Sequence, residues 1–182
     1  MNGSKQFWQF NLYKAMRDPS LIAYEDELVV IIKDKYPKSE EHFLVLPQAT
    51  IPEIRSLNAS HLPLLRHMDR VSRSFCANFN HVFWAGFHAK PTMMQLHLHL
   101  ISDDFRGSGL KTAKHWNSYT TSFFVSISRV IHDLETNGRV LLPSNASLNE
   151  LLRAPLQCHK CLFKPSNMAT LKVHLISHTP TD

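Results

Sequence analysis

Cysteine is scarce in this sequence, with three residues in 182. Cys76 falls in an apolar helical pattern and reads as a small buried hydrophobe. Only Cys158 and Cys161 lie close together. In a reducing compartment such a pair reads as metal or redox chemistry, not as a structural disulfide. Long apolar runs are also missing, and nothing approaches the roughly 20 residues that a spanning helix needs. No secretory leader, internal repeat or low-complexity stretch is legible. Met1-Asn-Gly-Ser4 reads as a start followed by a cloning remnant. The expected compartment is the nucleus, with the cytoplasm second.

What remains suits one medium domain with a small appendage. The hydrophobic fraction of 43% fits a soluble globular chain. A chain this long buries a core without disulfides. Charge is uneven. The stretch 153–182 holds Arg153, Lys160, Lys164 and Lys172 against Asp182, so more than half of the net +5 sits in the tail. A basic tail suggests a polyanionic partner, although ordinary solubility explains the same charge.

Periodicity gives a coarse map. Residues 11–17 read as a short helix stopped by Asp18-Pro19. Residues 27–33 and 42–46 read as a strand hairpin, the second strand closed by Pro47. Ser60 is the expected cap of a helix carrying Leu64, Leu65, Met68, Val71 and Phe75. Residues 81–88 read as a strand broken by Pro91. Residues 122–137 read as a helix ended by Gly138, and 143–147 as a hinge into the tail.

The most informative stretch is Gln95-Leu-His97-Leu-His99-Leu-Ile101. Strict alternation predicts a strand over 95–102, with Leu96, Leu98 and Leu100 facing the core. Gln95, His97 and His99 then share the other face, roughly 7 Å apart between alternate residues. Two imidazoles on one strand can share a phosphate: one attacks phosphorus while its neighbour hydrogen-bonds an oxygen. The alternation alone fits incidental histidines as well, and a metal site lacks a third ligand with convincing spacing.

The tail reads Cys158-x2-Cys161-x12-His174-x3-His178, zinc-finger spacing in every gap. Four protein ligands close a tetrahedron, so this zinc is expected to be structural. Phe163 and Leu171 are the candidate finger core. Lys160, Lys164 and Lys172 suit phosphate contacts, which position without specifying sequence.

The alternating stretch resembles the motif of the histidine-triad superfamily, in which histidines alternate with apolar residues and the middle histidine is the nucleophile. That position is His97 here, His99 matches the third histidine, and Gln95 departs from the first. Asp34-Lys-Tyr-Pro37 and His42-Phe-Leu-Val-Leu-Pro47 resemble the superfamily's nucleotide pocket. The resemblance implies that Asp34 holds ribose hydroxyls and that Thr92 contacts phosphate. A turn before Pro37 is the plainer reading of Asp34.

Several stretches resemble one branch, the aprataxin family of DNA 5′-adenylate hydrolases. They are Lys33-Asp-Lys-Tyr-Pro-Lys38, Phe87-His88-Ala89, Ile101-Ser-Asp-Asp-Phe105 and Lys114-His-Trp-Asn-Ser118. That resemblance implies that His88 helps the DNA 5′-phosphate leave, that Lys38 supports the AMP pocket, and that the finger grips DNA beside the catalytic domain. It also implies a helical wedge near Phe7, Trp8, Phe10 and Lys14. His42 is expected to pack under the pocket, and Gln95 to orient a neighbour through its amide. Trp116 and Asp104 are expected to support core and loop.

The expected architecture is α+β: a histidine-triad-like domain of antiparallel sheet and helices over 5–145, and a C2H2 zinc finger over 150–180. The expected activity is removal of 5′-linked AMP from abortive ligation intermediates through a covalent AMP–histidine. DNA with adenylated 5′ ends would be the partner, AMP the product, and structural zinc the only metal. Two alternatives stay open: hydrolysis of dinucleoside polyphosphates or nucleoside phosphoramidates, and a non-catalytic zinc-finger DNA-binding protein, for which Gln95 is the best support.

Overall fold

A computed structural model describes residues 11–178. Among them, strands β1 (Ile22–Glu25), β2 (Val29–Lys33), β3 (His42–Pro47), β4 (Phe83–His88), β5 (Leu98–Ser102) and β6 (Phe124–Ser126) form one antiparallel sheet in the order β1-β2-β3-β5-β4-β6. The helices are α1 (Asn11–Ala15), α2 (Leu62–Cys76), α3 (Ala113–Thr120), α4 (Ile127–Asn137), α5 (Asn145–Arg153) and α6 (Met168–Leu175). None of these helices is long and apolar enough to cross a membrane.

The central strands are apolar on both faces because both faces are covered. On one face Val29, Ile31, Phe43, Val45, Phe87, Leu98 and Leu100 meet Leu65, Met68 and Val71 of α2 and Val130 and Leu134 of α4. The other face is divided. At one end, Leu12 and Met16 of α1 cover Val30, Ile32, Leu44 and Leu46. At the other end, Ile101 joins Phe105, Trp116 and Tyr119, and also Leu156, Cys158, Leu171 and Leu175 of the finger. The candidate site lies on the strip of sheet between these two coverings. The finger is therefore anchored in a core that it shares with the sheet.

Several local expectations need correction. The helix over residues 62–76 is preceded by a 3-10 turn capped by Asn58, whose side chain accepts from the Ser60 amide. Ser60 instead sits inside the turn. Residues 124–126 are strand, and α4 starts one residue later behind its Ser126 cap. Gly138 takes φ 67° just past α4, as a left-handed C-cap requires. The expected hinge at 143–147 is the start of α5, capped by Ser144, and Leu148 of α5 enters the main core. A boundary at 145–150 thus runs through a helix that packs with the sheet. β1 gave no sequence signal because only Ile22 in it turns toward a core, and the other three residues are exposed.

Candidate active site and zinc cluster

β5 and the residues before it carry the central histidines. His97 and His99 are 6% and 3% exposed, and their ring centroids lie 5.0 Å apart. Nδ1 of His97 donates to the Gln95 carbonyl at 2.8 Å. A carbonyl can only accept, so Nδ1 bears the proton and Nε2 keeps its lone pair. That is the tautomer a nucleophile needs.

A second chain of hydrogen bonds fixes His99. The Lys38 amide donates to Nδ1 of His42 at 3.2 Å. His42 therefore carries its proton on Nε2, which lies 3.1 Å from Nδ1 of His99 and 3.6 Å from Oδ2 of Asp34. With Nδ1 accepting, His99 is protonated on Nε2. That atom is buried without a partner among the described residues, as is Nε2 of His88. Buried polar atoms of this kind call for an explanation, and a bound anion supplies one. The ring of His88 lies 4.5 Å from that of His99.

Burial drives the electrostatics. It lowers His88 to about 3 and His42 to about 4, and pushes His99 well below the usual imidazole range. Burial lowers His97 as well, while the Gln95 carbonyl and the Asp34 carboxylate act against the shift. The Lys38 ammonium is lowered by burial and partly restored by Asp34. The pocket without ligand therefore holds neutral imidazoles, ready to attack or to donate a neutral N–H.

His88, His97 and His99 line a cavity of about 410 Å³ that also exposes Asp34, Lys38 and Thr92. Asp34 is half-buried at its wall, and its Oδ1 accepts from the Tyr36 amide at 2.7 Å. The Lys38 ammonium hydrogen-bonds the Tyr36 carbonyl. The hairpin is braced from outside by Gly107 and Gly109, whose amides donate to the carbonyls of Lys38 and Pro37. A Cβ on either glycine would fall 2.3 Å from hairpin backbone, so that segment needs glycine to approach.

Gln95 does not fit its expected place. The backbone turns to φ 77° there, so strict alternation stops before β5. The Gln95 side chain points away from the cavity into the protein, bonded to Tyr13, Ile51, Pro47 and Ala49. The expected nucleotide contact is thus corrected: all its amide positions are already occupied. His42 lies beneath His99 and does not line the cavity. Asp34, His42 and His99 place three ligand-type atoms within 4.8 Å, a grouping that the strand alone could not reveal.

The cavity also contains residues that the sequence reading left without a role: Tyr36, Lys90, Lys114, His115, Ser118, Tyr119 and Asn149. Tyr119 is buried, and its hydroxyl lies 3.4 Å from Nδ1 of His99. α3 and α5 present several of these residues. Of these, Tyr36 belongs to the Lys33–Lys38 stretch, and Lys114, His115 and Ser118 to the Lys114–Ser118 stretch, that carry the family resemblance.

Cys158, Cys161, His174 and His178 converge, with all four ligand atoms within 4.8 Å of one another. The separations are 3.5 Å for Cys158–His178, 3.2 Å for Cys161–His174 and 3.1 Å between the two Nε2 atoms. A tetrahedral zinc has N···N edges of about 3.3 Å and S···N edges of about 3.6 Å, given its ordinary bond lengths. The residues fit zinc.

Leu171 is fully buried, but Phe163 is exposed and stacks on His174 with centroids 4.2 Å apart. The knuckle docks on the sheet domain. Nε2 of His159 donates to the Asp103 carbonyl at 2.9 Å, and Lys160 pairs with the Asp103 carboxylate at 3.0 Å. Lys160 is thereby paired within the protein, so its expected phosphate contact would compete with Asp103. Lys164 and Lys172 are exposed, as is Lys14 on α1. Phe7, Trp8 and Phe10 lie outside the described residues. Trp116 is fully buried and donates from Nε1 to the Gln157 carbonyl at 3.0 Å, and Asp104 accepts from the Glu40 and Arg106 amides.

Residues 7–115 match the family of the scavenger mRNA decapping enzyme C-terminal binding region, and residues 120–180 match the C2HE/C2H2/C2HC zinc-binding finger family. Aprataxin of Gallus gallus is 44% identical over 175 residues, which cover 94% of this chain and 55% of that protein. An aprataxin-like protein of Saccharomyces cerevisiae is 31% identical over 212 residues, covering 92% of this chain and 94% of its own. The chain spans about half the length of the curated animal aprataxins it matches. The structure of the aprataxin ortholog Hnt3 in complex with DNA superposes with a TM-score of 0.74 at 22% identity, covering 97% of this chain and 94% of that one. The fold is shared with it.

Proposed function

Because the chain belongs to the aprataxin family, we propose that it removes AMP from DNA whose 5′ phosphate carries it in a 5′–5′ pyrophosphate linkage. The observation that carries this reading is the tautomer of His97. Its Nδ1 proton is tied to the Gln95 carbonyl, so the Nε2 lone pair is available in a cavity where Nε2 of His88 and of His99 lack partners among the described residues.

The steps follow from that arrangement. Nε2 of His97 attacks the AMP phosphorus, forming a P–N bond. The P–O bond to the DNA phosphate breaks, and the departing phosphate takes the electron pair. His88 donates a neutral N–H hydrogen bond to it as negative charge grows. Water then attacks the adenylylated His97 and releases AMP. His99 holds a phosphate oxygen through Nε2–H, with Thr92 at the rim. Asp34 accepts from the ribose hydroxyls, and Lys38 opposes phosphate charge. Positioning and charge stabilisation supply much of such catalysis.

Zinc bound by Cys158, Cys161, His174 and His178 closes the finger as a structural centre. No step above is assigned to a metal. Lys14, Lys164 and Lys172 suit contacts with the DNA backbone. A DNA-end substrate favours the nucleus as the compartment, with the cytoplasm second.

The test compares AMP release from adenylated nicked DNA and from a dinucleoside polyphosphate. A large preference for DNA and loss of release in His97→Ala are expected. Equal rates on both substrates would favour a nucleotide hydrolase. Zinc-dependent DNA binding without AMP release would favour a non-catalytic binding protein.

A further inference from the structure

Gln95 precedes the candidate nucleophile by two residues and holds φ 77°, a region that non-glycine residues enter at a cost. Such a conformation persists where its surroundings over-determine it. Here the side chain is 1% exposed and bonded at both ends of its amide. Oε1 accepts from the Tyr13 hydroxyl at 2.8 Å and from the Ile51 amide at 3.3 Å. Nε2 donates to the Pro47 carbonyl at 2.8 Å and to the Ala49 carbonyl at 3.0 Å.

The consequence falls on the main chain. The turned backbone aims the Gln95 carbonyl at Nδ1 of His97. Tyr13 belongs to α1, which is seated on the sheet by Leu12 and Met16. One continuous path therefore joins α1 to the candidate nucleophile: Tyr13 hydroxyl, Gln95 amide, Gln95 carbonyl, His97 ring. Neither Tyr13 nor Gln95 lines the cavity.

We infer that Tyr13 and Gln95 are positioning residues that clamp His97 in its reactive tautomer and tie that tautomer to the seating of α1. The inference rests on His97 being the nucleophile. Without a fixed carbonyl, the imidazole exchanges its proton to Nε2 and loses the lone pair that attacks. The clamp gives position 95 a task that needs no imidazole. It also makes α1 part of the machinery that sets the rate, beyond any grip on DNA.

Tyr13→Phe removes one hydroxyl and keeps the packing. Gln95→Leu removes the whole amide. Both are measured on the intact zinc-loaded protein, by steady-state kinetics on adenylated nicked DNA and by 15N NMR of the His97 ring. Tyr13→Phe should lower kcat roughly three- to tenfold, the worth of one hydrogen bond, with KM unchanged. The His97 nitrogens should move from one tautomer toward a mixture. If Gln95→Leu folds, adding Tyr13→Phe to it should cost nothing further.

A raised KM with unchanged kcat and unmoved His97 signals would overturn the inference and leave α1 as a grip only. Wild-type protein that releases no AMP, but whose His97 signals still shift in Tyr13→Phe, would defeat the activity reading and leave the clamp standing.

Discussion

His42 donates from Nε2 to Nδ1 of His99 across 3.1 Å, because the Lys38 amide already occupies His42 Nδ1. The direction of that bond puts the His99 proton on Nε2, where it has no partner among the described residues. A buried histidine on β3 therefore decides what a pocket histidine on β5 can donate. His42→Ala should lower kcat roughly tenfold, as expected for losing one buried hydrogen bond. Affinity for DNA, read by fluorescence anisotropy, should stay near wild type. Unchanged turnover would remove His42 from the relay.

The same burial predicts an acid-side loss of stability. Desolvation holds His88 at about 3 and His42 at about 4 when folded, against about 6.5 for an unperturbed histidine. Between those limits the unfolded chain binds more protons than the folded one. The stability contribution is therefore complete above pH 6.5 and is lost as pH falls toward 4. Melting curves should show Tm falling by several degrees between pH 7 and pH 5. His88→Gln should flatten that slope, and an unchanged slope would contradict the assignment.

Zinc removal should destabilise more than the finger. Leu156, Cys158, Leu171 and Leu175 share a core with Trp116, Phe105 and Ile101. Chelation should lower Tm on the order of 10 °C in one cooperative transition, since metal binding contributes directly to folding here. An unaltered main transition with separate loss of finger structure would show instead that the two parts are independent.

Lysines of the tail should divide by their partners. Lys160 pairs with Asp103 across the docking contact, whereas Lys164 and Lys172 are exposed. Lys172→Ala or Lys164→Ala should each reduce the salt slope of DNA binding by about 1. Lys160→Ala should change that slope less and lower Tm instead. The reverse pattern would place Lys160 on the DNA.

Legibility in the sequence tracked how local each determinant was. β2 and β3 were readable because Val29–Ile32 and Phe43–Leu46 are continuous apolar runs. The zinc ligands were readable because finger spacing is short-range. Gln95 was misread because alternation assumes extended backbone, and a positive φ at one residue is invisible to it. The pairing of Lys160 with Asp103 was not readable because tertiary docking alone brings the two together. Tyr119 and Tyr13 passed unnoticed for a related reason: their hydroxyls act on residues 20 and 82 positions away. The α4 start and the α5 helix were blurred because capping serines look the same in loops and at helix starts.

During turnover His97 should carry AMP. The direct measurement is rapid-quench mass spectrometry of the protein mixed with adenylated nicked DNA under alkaline quench, which preserves a phosphoramidate. A transient single-AMP adduct should map to His97, decay as AMP appears, and be absent in His97→Ala. AMP release that continues in His97→Ala, or an adduct mapping to any other residue, would contradict it.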